Sequence, residues 1–177
     1  MQVRLAAVLA APLIGCLQSG ADEPTHDGKV PGELLGSYAV VGKLVEDECG
    51  AELLGAQNPW NFGIKLSRFQ RDLYWLNGSE AIVGELAADD ASFQFSTRID
   101  VPVGRGRAGC IVTRNDAAEG VLSWSPEDEA VGFKANLSFR YQAKNGADCP
   151  EFIGVVGGVT HLPCGVSYAL SGSRLAE

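Results

Sequence analysis

The sequence predicts an all-β domain, either an antiparallel up-and-down barrel or, as the second choice, a two-sheet β-sandwich. Several stretches alternate apolar and polar residues with a period of two, which is typical of antiparallel strands with one buried face. Glycine accounts for 22 of the 177 residues, against a usual share of about 7%, and this suits turns better than helices. Tight turns separate the strands and favour the barrel, because each strand then leads directly into the next.

The predicted strands are short and closely spaced along the chain. The clearest alternation lies at 60–67, 93–101 and 131–141. Weaker strands are predicted at 37–45, 72–76, 80–86, 110–114, 120–124, 152–156 and 165–171. One short helix, of a turn or two, is predicted near Ala51 to Gln57. Strands do not alternate with long helices, so parallel βαβ architecture is not expected.

Turn residues lie between the predicted strands. Asn77-Gly78 is typical of a type I′ hairpin, in which both central residues have positive φ. Asparagine, aspartate and glycine tolerate the other backbone conformations that turns need. On that basis further turns are predicted at Ala88-Asp89-Asp90, Asn115-Asp116 and Lys144-Asn145-Gly146.

The segment 131–141 makes a specific prediction about strand faces. The buried face is predicted to carry Phe133, Leu137 and Phe139. The exposed face is predicted to carry Lys134, Asn136 and Arg140. Since a shift of one residue exchanges the two faces of a strand, burial along this segment reports its register.

Composition and charge exclude several classes of protein. Hydrophobic residues make up 46% of the chain and charged residues 20%, which excludes disordered, collagen-like and coiled-coil classes. The net charge of −8 argues against nucleic acid or an anionic membrane surface as the main partner. The length fits one domain with a substantial core.

The N-terminus combines one positive charge with a short apolar run. Arg4 precedes an apolar stretch from Leu5 to Ile14, which is shorter than the roughly 20 residues that span a bilayer. The stretch ends at Leu13-Ile14-Gly15-Cys16, and this matches a lipobox at all four positions. The N-terminus therefore resembles the signal peptide of a bacterial lipoprotein. The resemblance implies cleavage before Cys16, a diacylglycerol thioether on its sulfur, and a fatty acid such as palmitate on its amine.

This resemblance defines the expected organisation of the chain. Residues 1–15 form the signal peptide, 16–36 the lipidated N-terminus and a flexible linker, and 37–177 a single all-β domain. Leu17, rather than aspartate, follows the modified cysteine, which implies anchoring in the outer membrane. The domain is then expected in the periplasm, with the cell surface as the alternative. Ser19-Gly20-Ala21 also fits ordinary signal peptidase, which would release the protein instead.

A second, looser resemblance concerns the domain. Gly36-Ser37-Tyr38 stands at the first predicted strand, where lipocalins carry Gly-x-Trp, with tyrosine here in place of tryptophan. Together with the succession of tight turns, this makes the domain similar in overall pattern to lipocalin-like barrels.

Four cysteines remain besides Cys16, namely Cys49, Cys110, Cys149 and Cys164. An even number in an exported domain predicts two disulfides. A count of strand reversals favours Cys49–Cys110 and Cys149–Cys164. A zinc site is disfavoured because the chain has no C-x-x-C pair.

Other chemical motifs are weak. Residues 104–109 spell G-x-G-x-x-G, but a strand rather than a helix follows, so we interpret them as a solvated turn, with an anion cradle at Arg105 and Arg107 as the alternative. His26 lies in the linker, and His161 has no nucleophile elbow nearby. Acidic clusters at 46–48, 89–90 and 127–129 lack the spacing of a calcium loop. No enzymatic activity, cofactor or metal is therefore expected.

The aromatic residues are open to two interpretations, a ligand pocket or a packed core. The residues concerned are Trp60, Trp75, Trp124, Tyr74 and Tyr141. Trp60 and Tyr141 fall on the apolar phase of their strands, which favours core packing.

The sequence thus predicts a membrane-anchored envelope lipoprotein that binds a small apolar ligand or an envelope component. The alternative is a structural protein of the envelope that docks a protein partner. A cavity ringed by aromatic residues would favour the ligand, and a filled core with an exposed apolar patch would favour the partner.

Overall fold

The structure is a computed structural model that describes residues 25–26, 30–50, 58–77, 81–103, 110–144, 149, 152–153 and 159–176. The lipobox, the predicted helix near 51–57 and the glycine-rich loop 104–109 lie outside the described residues. Within the described ranges there are ten strands: β1 Thr25–His26, β2 Val30–Pro31, β3 Glu33–Asp47, β4 Trp60–Phe69, β5 Asp72–Leu76, β6 Ala81–Leu86, β7 Ser92–Val103, β8 Cys110–Trp124, β9 Ala130–Ala143 and β10 Cys164–Arg174.

Strands β3 to β10 form a closed antiparallel barrel in which every strand pairs with its neighbours in sequence. The last strand, β10, pairs with β3 and closes the sheet along a seam. This confirms the all-β class and the up-and-down barrel in preference to the sandwich. In a closed sheet each strand has a partner on both sides, so none of these β-forming segments is left as a long exposed edge strand.

The barrel has two ends that differ in character. At one end, which we call the open end, strands β3, β5, β7 and β9 finish and strands β4, β6, β8 and β10 begin. The closed end is the opposite one, where β3 begins at Glu33 and β10 finishes at Arg174. The two-stranded sheet β1–β2 lies within the predicted linker. The hydroxyl of Ser67 on β4 donates a hydrogen bond to the carbonyl oxygen of Pro31, so this part of the linker is attached to the barrel wall.

The half of the barrel towards the closed end is filled by aromatic side chains around Phe133. The Phe133 ring centre lies 5.7 Å from Tyr38, 5.7 Å from Trp75 and 6.0 Å from Phe93. A Cβ atom at Gly172 would collide with the Phe133 ring, so glycine on the neighbouring strand makes room for it. This region is the close-packed core that a stable domain needs.

A buried hydrogen bond ties β3 to β9 in this half. The Tyr38 side chain is fully buried, and its hydroxyl donates a hydrogen bond of 2.8 Å to the carbonyl oxygen of Ala130. Tyr38 occupies the position that suggested the lipocalin-like pattern. Its hydroxyl satisfies a carbonyl at the beginning of β9.

The predicted faces of the segment 131–141 are confirmed from Phe133 onwards, whereas Val131, on the same phase, is exposed beside a register shift at the start of β9. Phe133 is buried, while Leu137 and Phe139 are half-buried on the same face of β9. Lys134, Asn136 and Arg140 are exposed. The register was therefore assigned correctly from Phe133 onwards, and Leu137 and Phe139 are incompletely buried because both line a cavity in the barrel.

One strand prediction was wrong. The segments predicted at 110–114 and 120–124 are one continuous strand, β8, and Asn115-Asp116 lies in its middle rather than in a turn. Of the segment predicted at 152–156, only Phe152 and Ile153 lie within the described residues, and Ile153 forms an isolated parallel bridge with Val159.

Two disulfides are present, as predicted, but the favoured pairing was wrong. The bonds join Cys49 to Cys164 and Cys110 to Cys149. All four cysteines lie at the open end, so strand direction does not distinguish the pairings. The division of β8 into two strands had reversed the inferred position of Cys149. The bonds instead follow strand neighbours, because β10 lies beside β3 and β9 beside β8.

The turn predicted at Ala88-Asp89-Asp90 connects β6 and β7 at the closed end. Oδ1 of Asp89 accepts hydrogen bonds from the amides of Ala91 and Ser92, and Oδ2 accepts one from the Ser92 hydroxyl. These bonds lower the pKa of Asp89 to about 2, and the bond from the Ser92 hydroxyl has the largest effect. Asp90 adopts a φ of 53°, which aspartate tolerates better than most residues.

Candidate ligand-binding cavity

The half of the barrel towards the open end contains a cavity of about 460 Å³ that is partly open to solvent. Its walls come from seven of the eight barrel strands, β4 to β10, and from the residue that follows β5. Six aromatic residues line it: Trp60, Phe62, Trp75, Phe95, Phe139 and Tyr168. This volume falls within the range of roughly 300–1,000 Å³ typical of ligand pockets. An eight-stranded barrel is just wide enough either to be filled by side chains or to hold one small ligand.

The aromatic rings form a connected wall rather than isolated contacts. Trp60 is central to it, with its ring centre 4.5 Å from Phe62, 5.4 Å from Tyr168 and 6.5 Å from Phe139. Trp75 packs 5.5 Å from Phe95 and also contacts Phe133 of the filled core. Trp75 therefore lies at the floor that separates the cavity from the core. Such a wall offers flat apolar surfaces to a ligand.

One ion pair lies in this mainly apolar wall. Arg114 and Asp116 are two residues apart on β8, so both side chains point to the interior. Nε of Arg114 donates a hydrogen bond of 2.8 Å to Oδ1 of Asp116, and Nη2 donates one of 2.7 Å to Oδ2. The guanidinium carbon also lies 5.6 Å from the ring centre of Phe139. The pair is bidentate and held against an aromatic face, the arrangement in which arginine is most firmly oriented.

Tyr141 lies beside this pair, since it is the register partner of Arg114 across β8 and β9. Its hydroxyl is buried and makes no hydrogen bond of ordinary geometry within the described part of the chain, although the Arg114 side chain lies near enough to interact with it. Burial raises the pKa of Tyr141 to about 12, although the positive charge of Arg114 opposes the shift. The tyrosine therefore stays neutral at physiological pH.

The barrel wall is interrupted beside the cavity, between β6 and β7. These strands pair only from Gly84 to Leu86 and from Phe93 to Phe95, whereas β7 pairs with β8 along its whole length. The cavity lining includes Ile82 and Thr97, which lie beyond the paired stretch on each side. The side chain of Ile82 is also exposed to solvent. The cavity thus borders a section of wall without strand pairing.

The aromatic residues singled out in the sequence are divided between different places. Trp60 and Trp75 line the cavity. Trp124 lies at the closed end, where its Nε1 donates a hydrogen bond of 3.0 Å to the carbonyl oxygen of Asp90. Tyr74 is buried on the opposite phase of β5 from Trp75, and Tyr141 lies next to the ion pair. The interpretation of Trp60 as core packing is therefore only half correct, because its ring faces both neighbouring side chains and the cavity.

The acidic clusters and His161 do not form a shared site. Asp47 accepts hydrogen bonds from the amides of Cys49 and Gly50 and so stabilises a turn. His161 is exposed, with Nδ1 3.0 Å from the hydroxyl of the adjacent Thr160. Within the ranges that the structure describes, no three histidine, cysteine or acidic side chains are grouped to hold a metal ion.

Sequence reasoning missed Arg114 and Asp116 as cavity residues. Both fall on the inward phase of β8, the phase of Val112, Ala118 and Leu122. Charged residues on an inner face interrupt the apolar alternation, and Asn115-Asp116 has the composition of a turn. The available signal was that Val112, before the charges, and Ala118 and Leu122, after them, fall on the same phase of a period of two.

No protein-family model matches the chain, and no curated protein or solved structure is significantly similar to it. Within the described residues, no helix has the length and apolar character needed to cross a membrane.

Proposed function

We propose that this protein is an envelope lipoprotein whose barrel binds a small apolar ligand in the cavity at its open end. The observation that carries the proposal is the cavity itself, about 460 Å³ in volume and lined by six aromatic residues. A ligand in contact with this aromatic wall would gain packing energy of the kind that the other half of the barrel obtains around Phe133.

The ligand is favoured over a docked protein partner by the distribution of apolar surface. The exposed apolar side chains lie on several strands and include Val41 and Val45 on the outer face of β3, with the exposed Lys43 between them, and Ile99 and Val101 on β7. Scattered apolar residues of this kind are normal on a soluble surface. The concentrated aromatic surface lies inside the barrel instead.

The membrane anchor is part of the same proposal. Cys16 carries the lipid, and two or three acyl chains give the stable attachment that a single chain does not. Seventeen positions separate Cys16 from Glu33, which allows a reach of at most about 60 Å if extended. Cys16→Ala should move the protein from the membrane fraction to the soluble fraction. A mature N-terminus at Asp22 without acyl mass would instead indicate cleavage after Ala21 and overturn the anchor.

The test of ligand binding uses N-phenyl-1-naphthylamine, an uncharged apolar molecule that fluoresces when it leaves water. We expect saturable binding with one site per protein. Ala118 lines the cavity, so Ala118→Phe should fill part of it and weaken probe binding by about tenfold or more, equivalent to a loss of about 1.4 kcal/mol.

The matched control is Ala39→Phe, which adds the same ring to an exposed position on the outer face of β3. Thermal melts of both variants should show that they remain folded. Equal binding by the two variants would place the probe outside the cavity. Loss of affinity in Trp60→Ala with retained folding would provide independent support, because Trp60 is at the centre of the aromatic wall.

A further inference from the structure

We infer that the cavity selects a ligand without net charge, an inference that rests on the proposed ligand-binding function. The observation behind it is the Arg114–Asp116 pair, which supplies the charged side chains among the described lining residues. One positive and one negative charge cancel, so the site is neutral as a whole. Its apolar lining makes any uncompensated charge costly.

The pair is held so that neither member is released easily. Both hydrogen bonds of the bidentate contact are short, at 2.8 and 2.7 Å. The Asp116 side chain is only 16% exposed, and that of Arg114 is 32% exposed. Phe139 covers the guanidinium on another side. Separating the pair would leave each charge partly buried and unpaired, which is more costly than the pair itself is stabilising.

An anionic ligand would have to compete with Asp116 for Arg114. If it succeeded, two negative charges would share one guanidinium inside a partly desolvated wall. A cationic ligand would face the converse problem. The Asp116 carboxylate would attract the ligand, but Arg114 already lies within hydrogen-bond distance of that carboxylate. In both cases the filled site would carry an unbalanced charge.

An uncharged ligand avoids this cost and still gains polar contacts. The ion pair engages two of the five N–H donors that a guanidinium carries, so donors remain for a carbonyl or hydroxyl oxygen. The aromatic wall accommodates the rest of the molecule. The chemical class is therefore an uncharged, mainly aromatic or alicyclic compound with at most a few hydrogen-bond acceptors.

The test compares two probes that share one skeleton. N-phenyl-1-naphthylamine is uncharged, and 8-anilino-1-naphthalenesulfonate adds one negative charge to the same rings. At physiological ionic strength, the uncharged probe should bind about tenfold more tightly or better, since an unpaired charge at this site is strongly disfavoured. The ratio of the two dissociation constants is the measured quantity, because it cancels changes that affect both probes.

Variants of the pair should change this ratio in a defined pattern. Asp116→Asn leaves Arg114 unpaired and should shift the ratio towards the anionic probe by about tenfold. The double variant Arg114→Gln with Asp116→Asn is again neutral and should restore preference for the uncharged probe. The control Asp72→Asn makes the same change in net charge at an exposed position near the closed end and should leave the ratio unchanged.

The outcomes separate this inference from the proposed function. Tight binding of the anionic probe by the unmodified protein, or an unchanged ratio in Asp116→Asn, would overturn charge selection while leaving ligand binding intact. Equal shifts in Asp116→Asn and Asp72→Asn would also overturn it, because overall charge would then explain the effect. Absence of saturable binding by both probes would overturn the proposed function as well.

Discussion

Cys49 and Cys164 form a disulfide that spans the seam of the barrel, where the last strand pairs with the first. The bond lies at the open end, directly beyond the last residues of β3 and at the first residue of β10. The Cys110–Cys149 bond occupies the same end, between β8 and β9. Covalent links therefore brace the half of the barrel that contains the cavity, whereas packing holds the other half.

The two disulfides should contribute unequally to stability. Cys49 and Cys164 are 115 residues apart, against 39 for Cys110 and Cys149. Because a longer closed loop restricts the unfolded chain more, replacing the first pair with alanine should cost about 1 kcal/mol more than replacing the second. Urea unfolding of the two double-alanine variants measures the difference. A larger loss in the Cys110–Cys149 variant would contradict the unfolded-state explanation.

Two buried tyrosines should respond differently to loss of the hydroxyl. Tyr38→Phe removes the hydrogen bond to the carbonyl of Ala130 and leaves that acceptor without the hydroxyl, so it should cost about 1–3 kcal/mol. The hydroxyl of Tyr141 makes no hydrogen bond of ordinary geometry in the described part of the structure, so Tyr141→Phe should be nearly neutral or stabilising. Chemical denaturation of both variants checks the contrast. Equal losses would mean that the Tyr141 hydroxyl is satisfied in solution.

The same tyrosines should make the protein sensitive to alkaline pH. Burial raises the pKa of both Tyr38 and Tyr141 from 10.0 to about 12. Between these values the unfolded chain has released protons that the folded protein still holds, so stability must fall as pH rises. The contribution is complete below pH 10 and is lost towards pH 12. A titration of tyrosinate absorbance should show late-ionising groups, one fewer in Tyr141→Phe. Ionisation of every tyrosine near pH 10 would contradict it.

Local alternation was enough to predict most of the barrel. The segments around Ile64 and Phe133 alternate cleanly because one face packs inside and the other contacts water. The sequence predicted two strands within 110–124 instead of one, because Arg114 and Asp116 occupy the inner face of β8. The residues that make this strand unusual in sequence are those that give the cavity its charge pair.

The cavity itself could not be predicted from strand patterns. Whether a barrel interior is filled depends on the volumes of side chains from several strands that meet at one level. Phe133 fills its level because Gly172 on the neighbouring strand makes room for the ring. Phe139 lies on the same phase of β9, six residues closer to the open end, but it borders the cavity. The alternating pattern is identical at both positions, and only the packing around them differs.

This difference gives the most direct test of how the barrel is divided. Phe133 is 2% exposed and contacts Tyr38, Trp75 and Phe93. Phe133→Ala should therefore cost about 3–5 kcal/mol, as expected for a buried aromatic residue. Phe139 is half-buried beside the cavity, and Phe139→Ala should cost about 1–2 kcal/mol, because less surface returns to water. Urea melts of the two variants measure both losses.

Probe binding should show the reverse order. Under conditions where both variants are folded, Phe139→Ala should weaken the binding of N-phenyl-1-naphthylamine severalfold. Phe133→Ala should leave the affinity for this probe close to that of the unmodified protein. Equal stability losses, or a larger binding defect in Phe133→Ala, would mean that the filled and hollow halves are not separate in solution.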